Sequence, residues 1–419
     1  MSLTEQLSQL AQASPIATWT EPSSGRELPL VTPPDEATCV RVVQFAAEND
    51  LALIPIGLGS KTALTSPADR VDFALSTRGV AGIEAYEPGD GTVTVRAGTT
   101  MSELRDAVAK GGHRLTPDVP LPDGATIGGV IAAGQSGFDR LRFGPLRNHV
   151  LGLRVLLGDG TIARTGGRLV KNVTGYDLQR LYTGSRGSLC LILEASLRLF
   201  PLPEDELAFS STTQELSRAF ESIGKLRALP LTWDTLTIQG QAGALRVFAA
   251  LSGRSQMLDS HRASVEQALC DMNSTQVSSG AEARAAGEAA RDDELASGWP
   301  SLRLLSRSSQ IAEQSEHLLA ALRELGGSQP TLCTHPEIAT LDLWLTESDP
   351  ARRCEELSEL HEVAERNKLR IEWLGSHTEL PDELLPKTLE APAERLMAKL
   401  QSALDPAGVF ARGRFYRGL

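Results

Sequence analysis

Between Pro122 and Gly137 the chain reads PDGATIGGVIAAGQSG, with five glycines and three alanines gathered around the pair Thr126–Ile127. Small side chains let a backbone come into contact with another surface, and glycine enters the φ > 0 region without steric cost. A stretch this poor in bulk cannot bury itself with its own side chains. It has to lie against a neighbouring piece of protein or against a ligand. The rest of the chain decides between them.

The 419 residues allow two or three domains, and 41% hydrophobic with 22% charged residues predicts a sizeable core. A net charge of -12 argues against a general binder of nucleic acid or anionic membranes. The opening MSLTEQLSQLAQAS predicts a short amphipathic helix, not a secretory leader. No apolar run approaches the ~20 residues that span a bilayer. A soluble cytoplasmic protein is expected, one that would reach a membrane only through partner subunits. The five cysteines (Cys39, Cys190, Cys270, Cys333 and Cys354) are dispersed, and none stands in C-x-x-C spacing. That excludes the usual sequence form of an iron–sulfur or zinc site and fits free thiols. No metal site is expected.

Residues 33–115 alternate helix and strand signals. PPDEATCVRVVQFAAEND predicts a helix with Val40, Val43, Phe45 and Ala47 as its apolar positions. LALIPIG is a short buried strand ending at glycine, and GIEAYEPGDGTVTVRAG a hairpin turning at Pro88–Gly91. Thr100 or Ser102 caps the helix of MSELRDAVAKGG. VLGLRVLLGDGTIART is a second hairpin, YDLQRLYTG a short helix and GSLCLILEASLRLFPLP a long strand. The first half is therefore α+β with local hairpins, not a repeated βαβ fold. After Pro203 a helix–strand–strand–helix pattern occurs twice, which predicts two ferredoxin-like units facing one another. SSGAEARAAGEAARDDELASG between them predicts a surface helix or loop, and APAERLMAKLQSAL a closing helix with a turn-rich tail.

A second glycine segment, IPIGLGSKTAL, follows a strand exit. Gly57 and Gly59 free backbone N–H groups for an anion such as a pyrophosphate, with Ser60 and Thr62 adding hydroxyls. A G-x-G here also serves as a plain tight turn, and it is not a Walker A loop. The opening stretch likewise suits either a helix packed closely on a sheet or a wall against a flat, extended cofactor. Taken in order, ATIGGVIAAGQSG, RFGPLRNHVLGLRVLLGDGTI and KNVTGYDLQRLYTGSRGSLCLILEASLRL resemble the PCMH-type FAD-binding domain of the vanillyl-alcohol oxidase superfamily. Within it, the likeness is to the FAD-binding subunit of bacterial glycolate oxidase, the smaller of its two flavoprotein-like subunits. It covers about 33–203 and returns at LDPAGVFARGRFY.

The resemblance implies an α+β fold: a two-subdomain PCMH-type FAD-binding domain plus an α+β cap of two ferredoxin-like units. The expected division is 1–32 as an N-terminal extension, 33–203 as the FAD domain, 204–390 as the cap and 391–419 as a helix and tail returning to the FAD domain. It also implies site residues. Pro55, Ile56, Gly57, Leu58, Gly59 and Ser60 match the first pyrophosphate loop. Thr126, Ile127, Gly128 and Gly129 match the second. Ala133, Ser136 and Gly137 continue toward the isoalloxazine, and the backbone of Ile192 matches the adenine position. Neither loop holds the histidine that covalent attachment uses, so non-covalent FAD is expected.

Catalytic relatives carry signatures resembling H-x-G-D-G-N-x-H and E-H-G, which this chain does not contain; His335, His361 and His377 stand singly. Where the family tends to N-P-G-[KR], the tail has Ala411-Arg412-Gly413-Arg414. Arg142, Arg147, Lys171 and Arg414 are candidate cations, Lys171–Asn172 is the most family-specific pair, and no catalytic base is assigned. The resemblance implies an electron-transfer or assembly subunit of a complex acting on a small 2-hydroxy acid, beside a catalytic flavoprotein and an iron–sulfur subunit. The alternatives are a self-sufficient FAD-dependent 2-hydroxy-acid dehydrogenase and a scaffold that has lost its flavin. A peptidoglycan-precursor reductase of the same fold class fits the second domain and tail less well.

Overall fold

The computed structural model describes the chain apart from residues 13–15, 23, 66–67, 168–175, 294–299, 325–329, 346–348, 375–390 and 415–419. It divides into two compact units. The first comprises Met1–Ser136, Pro145–Leu202 and Lys387–Leu419; the second comprises Gly137–Gly144 and Pro203–Pro386.

The first unit begins with α1 (Leu3–Ala11), β1 (Ala17–Thr20), β2 (Glu27–Val31), α2 (Glu36–Glu48), β3 (Leu53–Ile56) and β4 (Phe73–Ser76). The strands form a sheet in the order β1-β2-β4-β3. Residues 1–32 thus supply the edge of this sheet, and α1 buries Leu7 against the same core as α2. Asp35 starts α2 by accepting the Thr38 N–H at 2.7 Å, satisfying one of the unpaired donors of the first turn. The buried stripe of α2 is Cys39, Val42, Val43 and Ala46, an i, i+3, i+4, i+7 set. Val43 was expected there, but Val40, Phe45 and Ala47 fall on the shoulders, half-buried. Helical periodicity was correct and its phase was off by part of a turn.

The second sheet of this unit has β5 (Ile83–Glu87), β6 (Thr92–Arg96), β8 (Val150–Leu156), β9 (Ile162–Gly166) and β10 (Leu191–Arg198), in the antiparallel order β5-β6-β10-β8-β9. Two short strands, β7 (His113–Arg114) and β11 (Phe200–Pro201), pair separately. The helix α3 (Met101–Ala109) opens with a capping box between Thr100 and Glu103. Met101, Leu104 and Val108 of α3 share a core with Val130 and Ile131 of α4 (Ile127–Ala133) and with Val95, Val155 and Ala195 of the sheet. The short helix α6 (Leu178–Tyr182) adds Tyr182 to that core.

The chain closes this unit with α12 (Ala391–Leu404). Beyond it the buried Asp405 carboxylate accepts the N–H groups of Val409 and Phe410 at 2.9 and 2.8 Å. This clamp straightens the tail beside β3: Leu53 N–H donates to the Val409 carbonyl and Ala411 N–H to that of Leu53.

In the second unit the elements run β12 (Asp205–Thr213), α7 (Leu216–Ala228), β13 (Thr235–Gln241), β14 (Ala244–Gly253), α8 (Ser255–Ala268) and β15 (Ser274–Ser279). After α9 (Gly280–Asp293), the scheme repeats as β16 (Leu302–Leu305), α10 (Ile311–Glu324), β17 (Thr331–His335), β18 (Thr340–Trp344), α11 (Pro350–Asn367) and β19 (Arg370–Trp373). Each half is βαββαβ, as in a ferredoxin-like fold. The two halves do not face one another. They join edge to edge through β13 and β17, giving one eight-stranded sheet in the order β15-β12-β14-β13-β17-β18-β16-β19. Unpaired edges of β13 and β17 would leave rows of unmet N–H and C=O groups, and joining them removes both.

One face of this sheet buries Phe209, Ile238, Val247, Leu304, Leu332 and Leu341 in the large core that includes side chains of α7, α8, α10 and α11. The expected surface helix is α9, which exposes Glu282, Arg284 and Ala285 and buries Ala283 and Ala290 against Phe248 and Phe138. The short helix α5 (Arg140–Phe143) belongs here as well.

Candidate functional site

The first glycine loop leaves the C-terminal end of β3. Its carbonyls are engaged by protein donors: Thr77 Oγ1 donates to Ile56, Ser76 Oγ to Gly57 at 2.8 Å, and Thr62 Oγ1 to Gly59 at 2.6 Å. Among the described residues, the N–H groups of Gly57, Leu58, Gly59 and Ser60 meet no protein acceptor. Gly59 sits at φ +82°, where glycine is the undemanding choice, and a side chain there would strike the Trp19 indole nitrogen. Leu58 is exposed and Pro55 and Ser60 half-buried, while Ile56 is buried. The loop therefore presents donors and keeps its acceptors occupied.

The second loop meets the first directly. A Cβ on Gly57 would lie 1.9 Å from Thr126 Oγ1, so only glycine permits this approach. Thr126 caps α4, accepting the Gly129 N–H at 3.3 Å. The N–H groups of Ile127 and Gly128 donate to the carbonyls of Thr99 and Ala97. A side chain on Gly128 would clash with Ala97, at 2.7 Å from its Cβ. So in the run that opened the chain, Ile127 and Gly128 face protein, and what they give the site is position. Gly129 is half-buried beside the Lys61 side chain.

A third element comes from the tail. Arg414 is buried at 3% exposure, with Nη2 donating to Thr65 Oγ1 at 3.2 Å and Nη1 without a partner. A Cβ on Gly187 would touch both Arg414 Nη1 and Pro55. Burial pushes the Arg414 guanidinium down to about 10, against the pull of Glu21.

The other expected residues divide. Ala133 closes α4 and is half-buried; Ser136 is buried, its Oγ accepting the Leu146 N–H at 3.0 Å. Gly137 falls in the second unit. Ile192 is a core residue of β10 opposite Val155, and a bulge follows it before Glu194. Among the candidate cations, Arg142 is engaged within the second unit, paired with Asp234 and donating to Ser252 Oγ at 2.8 Å. Arg147 is exposed. Lys171 and Asn172 lie outside the described residues, as does His377. Lys61 and Trp19 border the loops and were not singled out. Lys61 directly follows the G-x-G-S turn, which was a usable signal. Trp19 comes from a distant strand, and nothing near it in sequence connects it to the loop.

An extended anion suits these features: a row of unmet N–H donors, a glycine contact between two loops and a buried guanidinium with a nitrogen unpartnered among the described residues. Residues 28–166 match the family described as FAD binding domain. This segment is a PCMH-type FAD-binding domain, and FAD is its cofactor.

Three relatives show which proteins share this domain. Glycolate oxidase subunit GlcE of Escherichia coli is 34% identical over 190 residues, 45% of this chain and 53% of that protein. Glycolate oxidase subunit GlcD of Bacillus subtilis is 29% identical over 212 residues, 51% of this chain and 45% of that protein. A D-lactate dehydrogenase of Archaeoglobus fulgidus is 32% identical over 185 residues, 44% of this chain and 41% of that protein. The match spans about half or less of each of these relatives. The solved structure of an alkyldihydroxyacetonephosphate synthase superposes with a TM-score of 0.68 at 15% identity, over 92% of this chain and 76% of that one, which establishes the fold. The chain is thus related to glycolate oxidase subunits and 2-hydroxy-acid dehydrogenases through an FAD-binding domain. Among the described residues no helix is long and apolar enough to cross a membrane, and no group of three or more His, Cys, Asp or Glu is placed to hold a metal ion.

Proposed function

We propose that this chain is an FAD-binding oxidoreductase subunit of a glycolate-oxidase-type complex that dehydrogenates a small 2-hydroxy acid. It holds FAD non-covalently in the cytoplasm and serves electron transfer or assembly beside a catalytic flavoprotein subunit and an iron–sulfur subunit. The observation that supports the reading is the close approach of Gly57 to Thr126, which sets the donor-bearing first loop against the second glycine loop. When bound, FAD supplies a hydride-accepting N5 atom. The chain's part is to hold it: the N–H groups of 57–60 take the diphosphate, Thr126 fixes the second loop, and Ser136 steadies the turn at Leu146. The likeness to a protein named as a subunit supports the accessory role. So do the histidines, which are scattered singly along the sequence.

A second reading, a self-sufficient 2-hydroxy-acid dehydrogenase, is favoured by the likeness to D-lactate dehydrogenase. One experiment separates the two. The purified chain is incubated with FAD, desalted, and its absorbance recorded before and after glycolate is added without air. Flavin bands that stay oxidised until partner subunits are supplied support the accessory role. Bleaching by glycolate alone establishes the second reading, and absence of flavin bands defeats both.

A further inference from the structure

Arg414 is a buried cation in the first unit with no counter-charge at ion-pair distance among the described residues. A buried guanidinium is ordinarily paired with a carboxylate, because an isolated charge in the interior is strongly disfavoured. Among the described residues no carboxylate lies within ion-pair distance of Arg414, and only Thr65 accepts from it. Glu21, itself buried, attracts it from farther away, and Arg186 opposes it. Ser185 Oγ, in the turn that carries Gly187, is also buried without a partner. Pro55, which meets the same point beside Gly187 as Arg414 Nη1 does, lies two residues before Gly57, where the row of unmet N–H donors begins. Donors and positive charge predominate here, so the missing partner is an acceptor-rich anion.

We infer that Arg414 grips the diphosphate of the bound dinucleotide, closing over the first glycine loop from the tail. The clamp of Asp405 on Val409 and Phe410, with the bridge of the tail to Leu53, brings Arg414 to this place. The inference rests on the FAD-binding reading of this unit and adds which part of the cofactor the tail holds.

The test titrates FAD, ADP and riboflavin into the full-length chain as wild type, Arg414→Gln and Arg414→Lys. ADP carries the diphosphate without the flavin, and riboflavin the flavin without phosphate. Arg414→Gln is expected to weaken FAD and ADP about 10- to 100-fold, the range for losing a charge-assisted hydrogen bond. Riboflavin binding is expected to stay unchanged. Arg414→Lys is expected to recover part of the loss, as a point charge without the forked geometry. Without ligand, Arg414→Gln is expected to melt at or above the wild-type temperature, since it removes an unpaired buried charge; a purely structural arginine would lower it. FAD affinity within twofold of wild type, an equal loss for riboflavin, or a lower melting temperature of the ligand-free variant would overturn the proposal. Wild type that binds ADP but not FAD would break the flavin reading and leave the diphosphate grip standing; wild type that binds neither would end both.

Discussion

Arg414 of the first unit and two arginines of the second are partnered differently. In the second, Arg303 meets Asp342 in a two-pronged pair at 2.6 and 2.6 Å, and Arg246 is held between Gln239 and Asp293. Each of these cations has its anion in the same sheet or on α9. In the first, Arg414 has no carboxylate at ion-pair distance among the described residues, and four consecutive N–H groups beside the same strand exit have no acceptor among them. Glycines follow the same division. Gly57 is required by a loop that must touch another loop, whereas Gly240 of β13 is at φ +125° inside a hairpin that satisfies itself. The second unit pairs the cations named here within itself, and the first leaves a buried guanidinium nitrogen and a row of N–H donors without a partner among the described residues. Unmet donors together with enforced glycines therefore mark where function sits more surely than either feature alone.

Four substitutions probe that contrast. Gly57→Val is expected to have the largest effect, abolishing FAD uptake, because its Cβ would overlap Thr126 Oγ1; flavin absorbance after desalting reads this directly. Ile238→Ala, at a fully buried site in the second unit, is expected to cost about 2–5 kcal/mol of stability in urea unfolding. It should leave FAD affinity within about twofold, since Ile238 belongs to the core of the second unit and the loops to the first. An equal loss of binding would show that the two units are not energetically separate.

The third concerns pH. Burial pushes His335 down to about 4, with Arg303 and Arg140 adding to the fall and Asp342 opposing it. The folded state therefore holds a neutral imidazole where the unfolded chain, at its ordinary value near 6.5, takes a proton. Stability is full above about 6.5 and is expected to decline as pH falls toward 4, by on the order of 2–3 kcal/mol. His335→Asn should flatten that dependence in urea midpoints measured across this window. Smallest is Thr126→Ala, which removes the cap on Gly129 and is expected to cost about 1 kcal/mol in thermal unfolding. Thr126→Ser should restore most of it.

Local features were legible in the residues. The Thr100–Glu103 capping box, the Pro88–Gly91 turn and the doubled helix–strand–strand–helix pattern each carry their own signal within a few positions. The strands β12, β15 and β16 did not; β15, at the sheet edge, reads STQVSS, and its alternation is weakened by half-exposure. Edge-to-edge joining of the two halves depends on hydrogen bonds between β13 and β17, about a hundred residues apart, and no local pattern encodes such a pairing. In the site, the glycine loops were visible as loops. Which of their N–H groups remain open was not, because that turns on distant acceptors such as Thr99 and Ala97. Arg142 shows the same limit: its charge was evident, but its engagement by Asp234 and Ser252 was not.

The pairing of Leu53 with the tail near Phe410 has a consequence in time as well as space. Almost the entire chain separates these partners, so the bridge is among the last contacts that vectorial synthesis allows. The strand that feeds the first glycine loop has β4 on one side from early in synthesis and gains the tail on its other side only once the second unit has been made. A ribosome that stops early would release a chain with both loops but without the bracing strand or Arg414.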